Sequence, residues 1–174
     1  MMNRCKYLVL FLLVGLLSCE EAPENPVNQR TELMKSSMEK ANRYLLNEEE
    51  TDIQSYISRH HLDMVSTGTG LRYQILKRGV GSQIEKGQKV VLEYQLNSLK
   101  GDLFYSSEKD GVKSFVVGEG TVESGLDEAV SHLHYGDVAK VIIPFHLGYG
   151  MHGDDNRIPE YATLVYLIKI IENQ

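Results

Sequence analysis

The sequence has little cysteine: Cys5 and Cys19 are its two cysteines, and neither lies beyond residue 19. Everything downstream is therefore without a thiol for a disulfide or a thiolate-held metal, and its stability must come from packing. Basic charge is also scarce. Formal net charge is −6, and losing residues 1–18, which contain Arg4 and Lys6 and no acid, takes it to −8. An acidic chain with no basic patch excludes a nucleic-acid partner. Long apolar runs are absent too. The longest, Tyr7 to Leu17, falls short of the roughly 20 residues a spanning helix needs, and there is no internal repeat or low-complexity tract.

That run has the length of a signal h-region, behind a positive n-region formed by Arg4 and Lys6. Leu16-Leu17-Ser18-Cys19 closes it, two bulky apolar residues and one small one before a cysteine. This resembles the lipobox of bacterial lipoproteins, in which the chain is cut before the cysteine and the thiol carries lipid. Several acyl chains anchor firmly, since each buried methylene adds about 0.8 kcal/mol. The expectation is a lipid-anchored protein of the cell envelope. Glu20 in place of Asp after Cys19 points to the outer membrane, at its periplasmic face or its surface.

Residues 1–18 thus read as a lipoprotein signal and 19–28, with Pro23 and Pro26, as a tether. Residues 29–65 read as a helical lead-in of two helices. Leu33, Met34, Met38, Ala41 and Leu45 recur at helical spacing in the first. Asn47 and Glu50 form a capping box that opens the second, with Ile53, Tyr56, Ile57 and His60 along one side. Glu48 to Glu50 are expected to do no more than complement that helix's dipole. The apolar stripe suits either pairing with a second copy through residues 29–65 or a stalk.

From residue 69 to 174 the pattern is an α+β domain. Leu71–Leu76, Lys89–Leu96, Phe115–Val117, Val138–Ile143 and Ala162–Ile171 read as strands, and Gly125–Leu133 as one amphipathic helix. They compose an antiparallel sheet wrapped on one short helix.

The blocks Gly87-Gln88-Lys89-Val90-Val91-Leu92-Glu93-Tyr94, Lys100-Gly101-Asp102-Leu103-Phe104, Val122-Glu123-Ser124-Gly125-Leu126, Gly136-Asp137-Val138, Phe145-His146-Leu147-Gly148-Tyr149-Gly150 and Ile158-Pro159-Glu160-Tyr161-Ala162 stand in the order of a known pattern. Over about residues 69–172 the chain resembles the FKBP-type peptidyl-prolyl cis-trans isomerases, and with its lipobox and lead-in it is similar to their gliding-motility-associated lipoprotein branch. The resemblance implies an FKBP-like half-barrel with an aromatic pocket between sheet and helix. It implies Tyr94, Phe104 and Tyr166 as aromatic walls, Val122 and Ile158 as lining, and Leu126 as the floor. It also implies that the Glu123 backbone N–H and the Tyr149 hydroxyl hold substrate carbonyls. The partners implied are Xaa-Pro segments of exported proteins, and no cofactor or metal is called for. Rotation about a prolyl peptide bond is opposed by about 18–20 kcal/mol of amide resonance, and a water-poor pocket favours the less polar twisted form.

The chain departs from the family at Tyr105, Lys113, Glu123, Leu126 and Arg157, where an acid, an aromatic, an apolar residue, a tryptophan and an apolar residue are usual. Leucine buries less surface than tryptophan, so proline should be gripped more weakly by about 1 kcal/mol and turnover should be below a typical member's. Two other readings compete: a weakened FKBP-like module that holds Pro-containing envelope segments, and a metal protein using His60, His61, His132, His134, His146, His152, Asp154 and Asp155. Without cysteine, and with the two helical histidines two residues apart on diverging faces, the metal reading is the poorer.

Overall fold

The computed structural model describes residues 26–171; the expected signal, Cys19 and most of the tether lie outside them. The elements in chain order are α1 (Pro26–Arg59), β1 (Val65–Ser66), β2 (Arg72–Lys77), β3 (Lys89–Asn97), β4 (Leu103–Ser106), α2 (Ser107–Asp110), β5 (Lys113–Val116), α3 (Ser124–Ser131), β6 (Val138–Ile143), a 3-10 turn (Phe145–Leu147) and β7 (Leu164–Ile171). Two compact units divide the chain, Met1–Tyr44 and Leu45–Gln174. In the first, the described helical residues Leu33, Met34 and Met38 are exposed. Among the described residues no helix is long and apolar enough to cross a membrane.

In the second unit, seven antiparallel strands run β1-β2-β6-β7-β3-β4, with β5 sharing the outer edge of β3 with β4. The register explains why this is one sheet. β3 pairs with β7 from Val91↔Ile171 to Asn97↔Val165, and β7 pairs with β6 from Val138↔Lys169 to Ile143↔Leu164. On β3, Val90, Leu92, Tyr94 and Leu96 alternate inward with period two. Leu126, Ala129, Val130 and Leu133 of α3 and the residue run beyond it pack on that inner face, each fully buried. The half-barrel wrapped on one short helix is as the sequence implies.

The outer face carries a second, smaller core, in which Ile53 and Tyr56 of α1 bury Ile142 and Val165. Polar ties reinforce it. Glu49 accepts the Phe145 N–H at 2.7 Å and the Thr163 hydroxyl at 2.6 Å. Glu50 pairs with Arg72, whose side chain is 8% exposed. Glu49 and Glu50 are therefore not dipole ornaments; they fasten the helix to the sheet.

Two helical expectations need correction. The lead-in is one continuous helix, because no glycine or proline interrupts residues 28–59. Asn47 does not cap a second helix; its carbonyl accepts the Thr51 hydroxyl at 2.8 Å in mid-helix. The helix ends at Arg59, so His60 lies beyond it and His61 takes a left-handed φ of 50°. α3 likewise stops at Ser131, and His134 belongs to an isolated bridge with Gln83. The short elements β1, β4 and α2 were not expected from periodicity, being too brief to display one.

Candidate functional site

Tyr94 faces inward from β3, Phe104 from β4 and Tyr166 from β7, while Leu126 rises from the first turn of α3. The Tyr94 and Tyr166 rings are 5.9 Å apart at 50°. Val122 and Glu123 precede α3, and Tyr149 and Ile158 lie on the connection between β6 and β7. Tyr94, Phe104, Leu126, Ile158 and Tyr166 share one buried cluster against which Val122 and Tyr149 pack. All seven implied apolar and aromatic positions, separate in sequence, thus belong to one packed core, in which five of them are buried and Val122 and Tyr149 lie against its surface.

Two backbone features make that meeting tight. A Cβ on Gly125 would stand 2.4 Å from Ile143 Cγ2, so only glycine lets the start of α3 touch β6 and seat Leu126. Gly153 has φ +70° and would drive a Cβ to 2.1 Å from the Ile158 carbonyl. Beside it, Asp154 accepts the Ile158 N–H at 2.7 Å and the Asn156 N–H at 3.0 Å, and also the Tyr105 hydroxyl. Asp154 is the positioning residue the sequence reading placed elsewhere, among metal ligands. Its Asp-x-Asn turn was the available signal.

The eighth position, Glu123, behaves differently from a lining residue. Its side chain is 5% exposed and sits 3.0 Å from the Lys113 ammonium, which is 24% exposed. The Tyr166 hydroxyl donates to the same carboxylate at 3.0 Å and accepts from Lys113 at 3.1 Å. Lys113 also lies 5.5 Å from the centroids of both the Tyr94 and Tyr166 rings. The Tyr149 phenol is close enough to influence this carboxylate electrostatically. Burial pushes the carboxyl up, but Lys113, Tyr149, the backbone and the hydrogen bond from Lys113 together hold it below its ordinary range. Burial and the Glu123 carboxylate push the Tyr149 phenol far above its ordinary value, and Tyr166 is raised by the same two causes.

Of the two donors expected to hold substrate carbonyls, the Tyr149 hydroxyl lies within the electrostatic reach of the protein's own Glu123 carboxylate. Four departures from the family pattern, met singly in the sequence, are coupled in space: Lys113 with Glu123, both bonded to Tyr166, and Arg157 with Tyr105. The Arg157 guanidinium lies 4.6 Å from the Tyr105 ring centroid, bonds to the Phe104 carbonyl at 3.1 Å and pairs with Asp110 at 2.9 Å.

The histidines scatter. His132 stacks on Tyr73 at 5.0 Å, His134 meets Arg78 and His146 meets the Thr69 carbonyl. Among the described residues no three His, Cys, Asp or Glu side chains converge on a metal position.

Residues 81–171 match the family model for FKBP-type peptidyl-prolyl cis-trans isomerases. FK506-binding protein 1 of Dictyostelium discoideum is 34% identical over 103 residues, covering 59% of this chain and 96% of that one. The FK506-binding protein of Neisseria meningitidis serogroup B is 31% identical over 104 residues, covering 59% and 95%. Among solved structures, AtFKBP13 superposes with a TM-score of 0.62 at 25% identity over 65% of this chain and all of that one. The chain belongs to the FKBP-type peptidyl-prolyl cis-trans isomerase family.

Proposed function

We propose that this isomerase acts on Xaa-Pro bonds of exported envelope proteins, at the recess walled by Tyr94, Phe104 and Tyr166 and floored by Leu126. The observation that carries the reading is the convergence of those side chains with Val122 and Ile158 from five separate parts of the chain. A prolyl bond twisted out of plane loses its resonance and carries less charge on its oxygen, so apolar walls that exclude water stabilise the twisted form over the planar one. The chemistry asks for no base, nucleophile or cofactor. Phe104 and Ile158 would clasp the ring, while the N–H of Glu123 and the hydroxyl of Tyr149 would hold the flanking carbonyls.

The proposed compartment is read from the sequence. An apolar run of signal length ending at Cys19 supports a lipid anchor in the envelope, at the outer membrane, and membership of the gliding-motility-associated lipoprotein branch. The exposed Leu33, Met34 and Met38 support pairing of two copies through residues 29–65. Metabolic labelling with a radioactive fatty acid, lost on Cys19→Ser, tests the anchor; sedimentation with and without residues 20–65 tests the pairing.

A protease-coupled assay on Xaa-Pro tetrapeptides tests the activity. Turnover should fall about 10²-fold in Phe104→Ala, the scale of losing a well-placed contact in the rate-limiting geometry, and less in Tyr149→Phe. A second reading, a module that holds Pro-containing segments with little turnover, is favoured by the buried Lys113–Glu123 pair, which makes the recess more polar than the mechanism wants. Suppressed aggregation of an unfolded client without any acceleration of isomerisation would select it.

A further inference from the structure

We propose that a cleft on the α1 side of Phe104 extends the isomerase site and takes a lysine or arginine of the client close to its proline. The inference deepens the isomerase reading and rests on it. The cleft has a volume of about 410 Å³, within the range of pockets that hold ligands. Three parts of the chain enclose it: residues 45–52 of α1, the turn between β3 and β4, and residues 159–163 of the connection to β7. Its apolar lining includes the rings of Phe145 and Tyr161, which meet edge to face at 5.4 Å. Tyr161 is 39% exposed and holds a left-handed φ of 55°, a conformation that bulky residues rarely adopt. Its N–H donates to the Gly150 carbonyl at 3.0 Å, which fixes the turn and presents the ring outside the core.

The charge around these rings is of one sign. Five carboxylates and a single ammonium, that of Lys100, line the cleft. Glu49 is taken by Phe145 and Thr163, and Asp102 by the Ser98 hydroxyl at 2.9 Å. Glu48 and Asp52, one turn apart on α1, and Glu160 on the connection are exposed. None of the three has an ion-pair partner among the described residues. Unpaired acids beside an accessible aromatic face attract an ammonium or guanidinium, while the aliphatic stem behind that cation covers apolar lining.

Phe104 joins the cleft to the isomerase site. It belongs to the core cluster with Tyr94, Leu126 and Tyr166, and it also lines the cleft. Pro159, another lining residue, directly follows Ile158. A client whose proline sits against Phe104 and Ile158 therefore brings its neighbouring residues to the cleft. Two other occupants are disfavoured by charge. Residues 20–25 of this chain carry Glu20, Glu21 and Glu24 and no base, and an anionic lipid surface would be repelled by the same acids. A basic segment of the client matches both the rim and the lining, and binding there adds to affinity without entering the reacting geometry, so the gain falls on KM.

The test uses the full chain and the triple variant Glu48→Gln, Asp52→Asn, Glu160→Gln. Two peptides serve as probes, identical except for Lys or Gln at the positions flanking a single Leu-Pro bond, with cis-trans exchange followed by NMR. The wild-type protein should turn over the Lys peptide with a kcat/KM about tenfold above that of the Gln peptide at low salt, the sum of several exposed ionic contacts and one aromatic contact. In the triple variant the ratio should fall to within about twofold of unity. Salt gives a second reading that needs no variant: at about 1 M, where charges are screened over about 3 Å, the wild-type preference should collapse. Equal turnover of both peptides by the wild-type protein, a preference that the triple variant keeps, or, should that variant not fold, a preference that salt leaves intact overturns this inference alone. Absence of turnover on either peptide in every form sinks the isomerase reading, and this one with it.

Discussion

The carboxylate of Glu49 accepts the hydroxyl of Thr163 at 2.6 Å, across 114 positions of sequence. It also takes the backbone N–H of Phe145 at 2.7 Å. One side chain on α1 thereby holds both ends of the connection that carries Tyr149 and Ile158. Glu49→Ala should destabilise the protein by about 2 kcal/mol, because a buried N–H and a hydroxyl lose their acceptor together. Thr163→Val alone should cost less, and the two changes combined should fall short of their sum by about 1 kcal/mol. Urea unfolding of the four proteins measures the cycle. Strict additivity would mean that the contact carries no energy.

The Lys113–Glu123 pair gives predictions of very different size for single and combined changes. Lys113→Met alone strands a carboxylate that is almost wholly enclosed, at a cost of about 3 kcal/mol. The triple change Lys113→Met, Glu123→Leu and Tyr166→Phe removes every charged or hydroxylic member of that contact set except Tyr149. Its stability should return to within about 1 kcal/mol of wild type, since buried ion pairs exchange for apolar packing at little loss. Midpoints in urea decide this. A triple variant no better than Lys113→Met would show that the network itself is a net stabiliser.

These two relationships mark where sequence reasoning stops. The sheet was legible because β3, β6 and β7 are long enough to display their alternation or their dense Val, Ile and Leu. That Tyr94, Phe104, Leu126, Ile158 and Tyr166 share one core was legible because the family pattern preserves order along the chain. The partnerships were not. Lys113 and Glu123 are ten positions apart on a strand and a turn, and Tyr105 and Arg157 are 52 apart, so no local period links either pair. Glu49 looked like one acid in a run of three, since helix-dipole arguments treat Glu48, Glu49 and Glu50 alike. Only the docking of Ile53 and Tyr56 on Ile142 and Val165 separates their roles. The break at Asn47 was misplaced for the converse reason: a local capping signature was present, while the packing that keeps the helix running is long-range.

Gly125 should not tolerate a methyl group. It lies in the first turn of α3, and an added Cβ would meet Ile143 Cγ2 at 2.4 Å and Leu147 Cβ at 3.1 Å. Alanine would otherwise favour the helix by about 1 kcal/mol, so the sign of the effect is diagnostic. The expected outcome for Gly125→Ala is a loss of about 1–3 kcal/mol from overpacking, read as a lower urea midpoint with unchanged slope. A gain in stability would mean that α3 can shift away from β6 without strain.

The dependence of stability on pH follows from the same buried carboxylate. Against the pull of burial, Glu123 is held below its ordinary value by Lys113 and Tyr149, and Glu50 by its hydrogen bonds to Gln54 and Arg72. A carboxyl whose folded value is depressed stabilises the fold fully above its unfolded value, about 4.3 for Glu, and loses that contribution as pH falls through the folded value. Stability should thus be flat from about pH 5 to neutrality and decline below about pH 4.3. Each carboxyl protonated only in the unfolded chain adds up to about 1.4 kcal/mol per pH unit to that slope. The alkaline side runs the other way. Tyr149 and Tyr166 are raised by burial and by Glu123, so their contribution is whole below the free phenol value of about 10 and drains away above it. Glu123→Gln removes the titrating group on the acid side and one cause of the shift on the alkaline side. Its melting temperature should respond to pH less steeply than wild type at both extremes, and a variant that keeps the wild-type acid limb would assign that limb to Glu50, Asp110 and Asp154 instead.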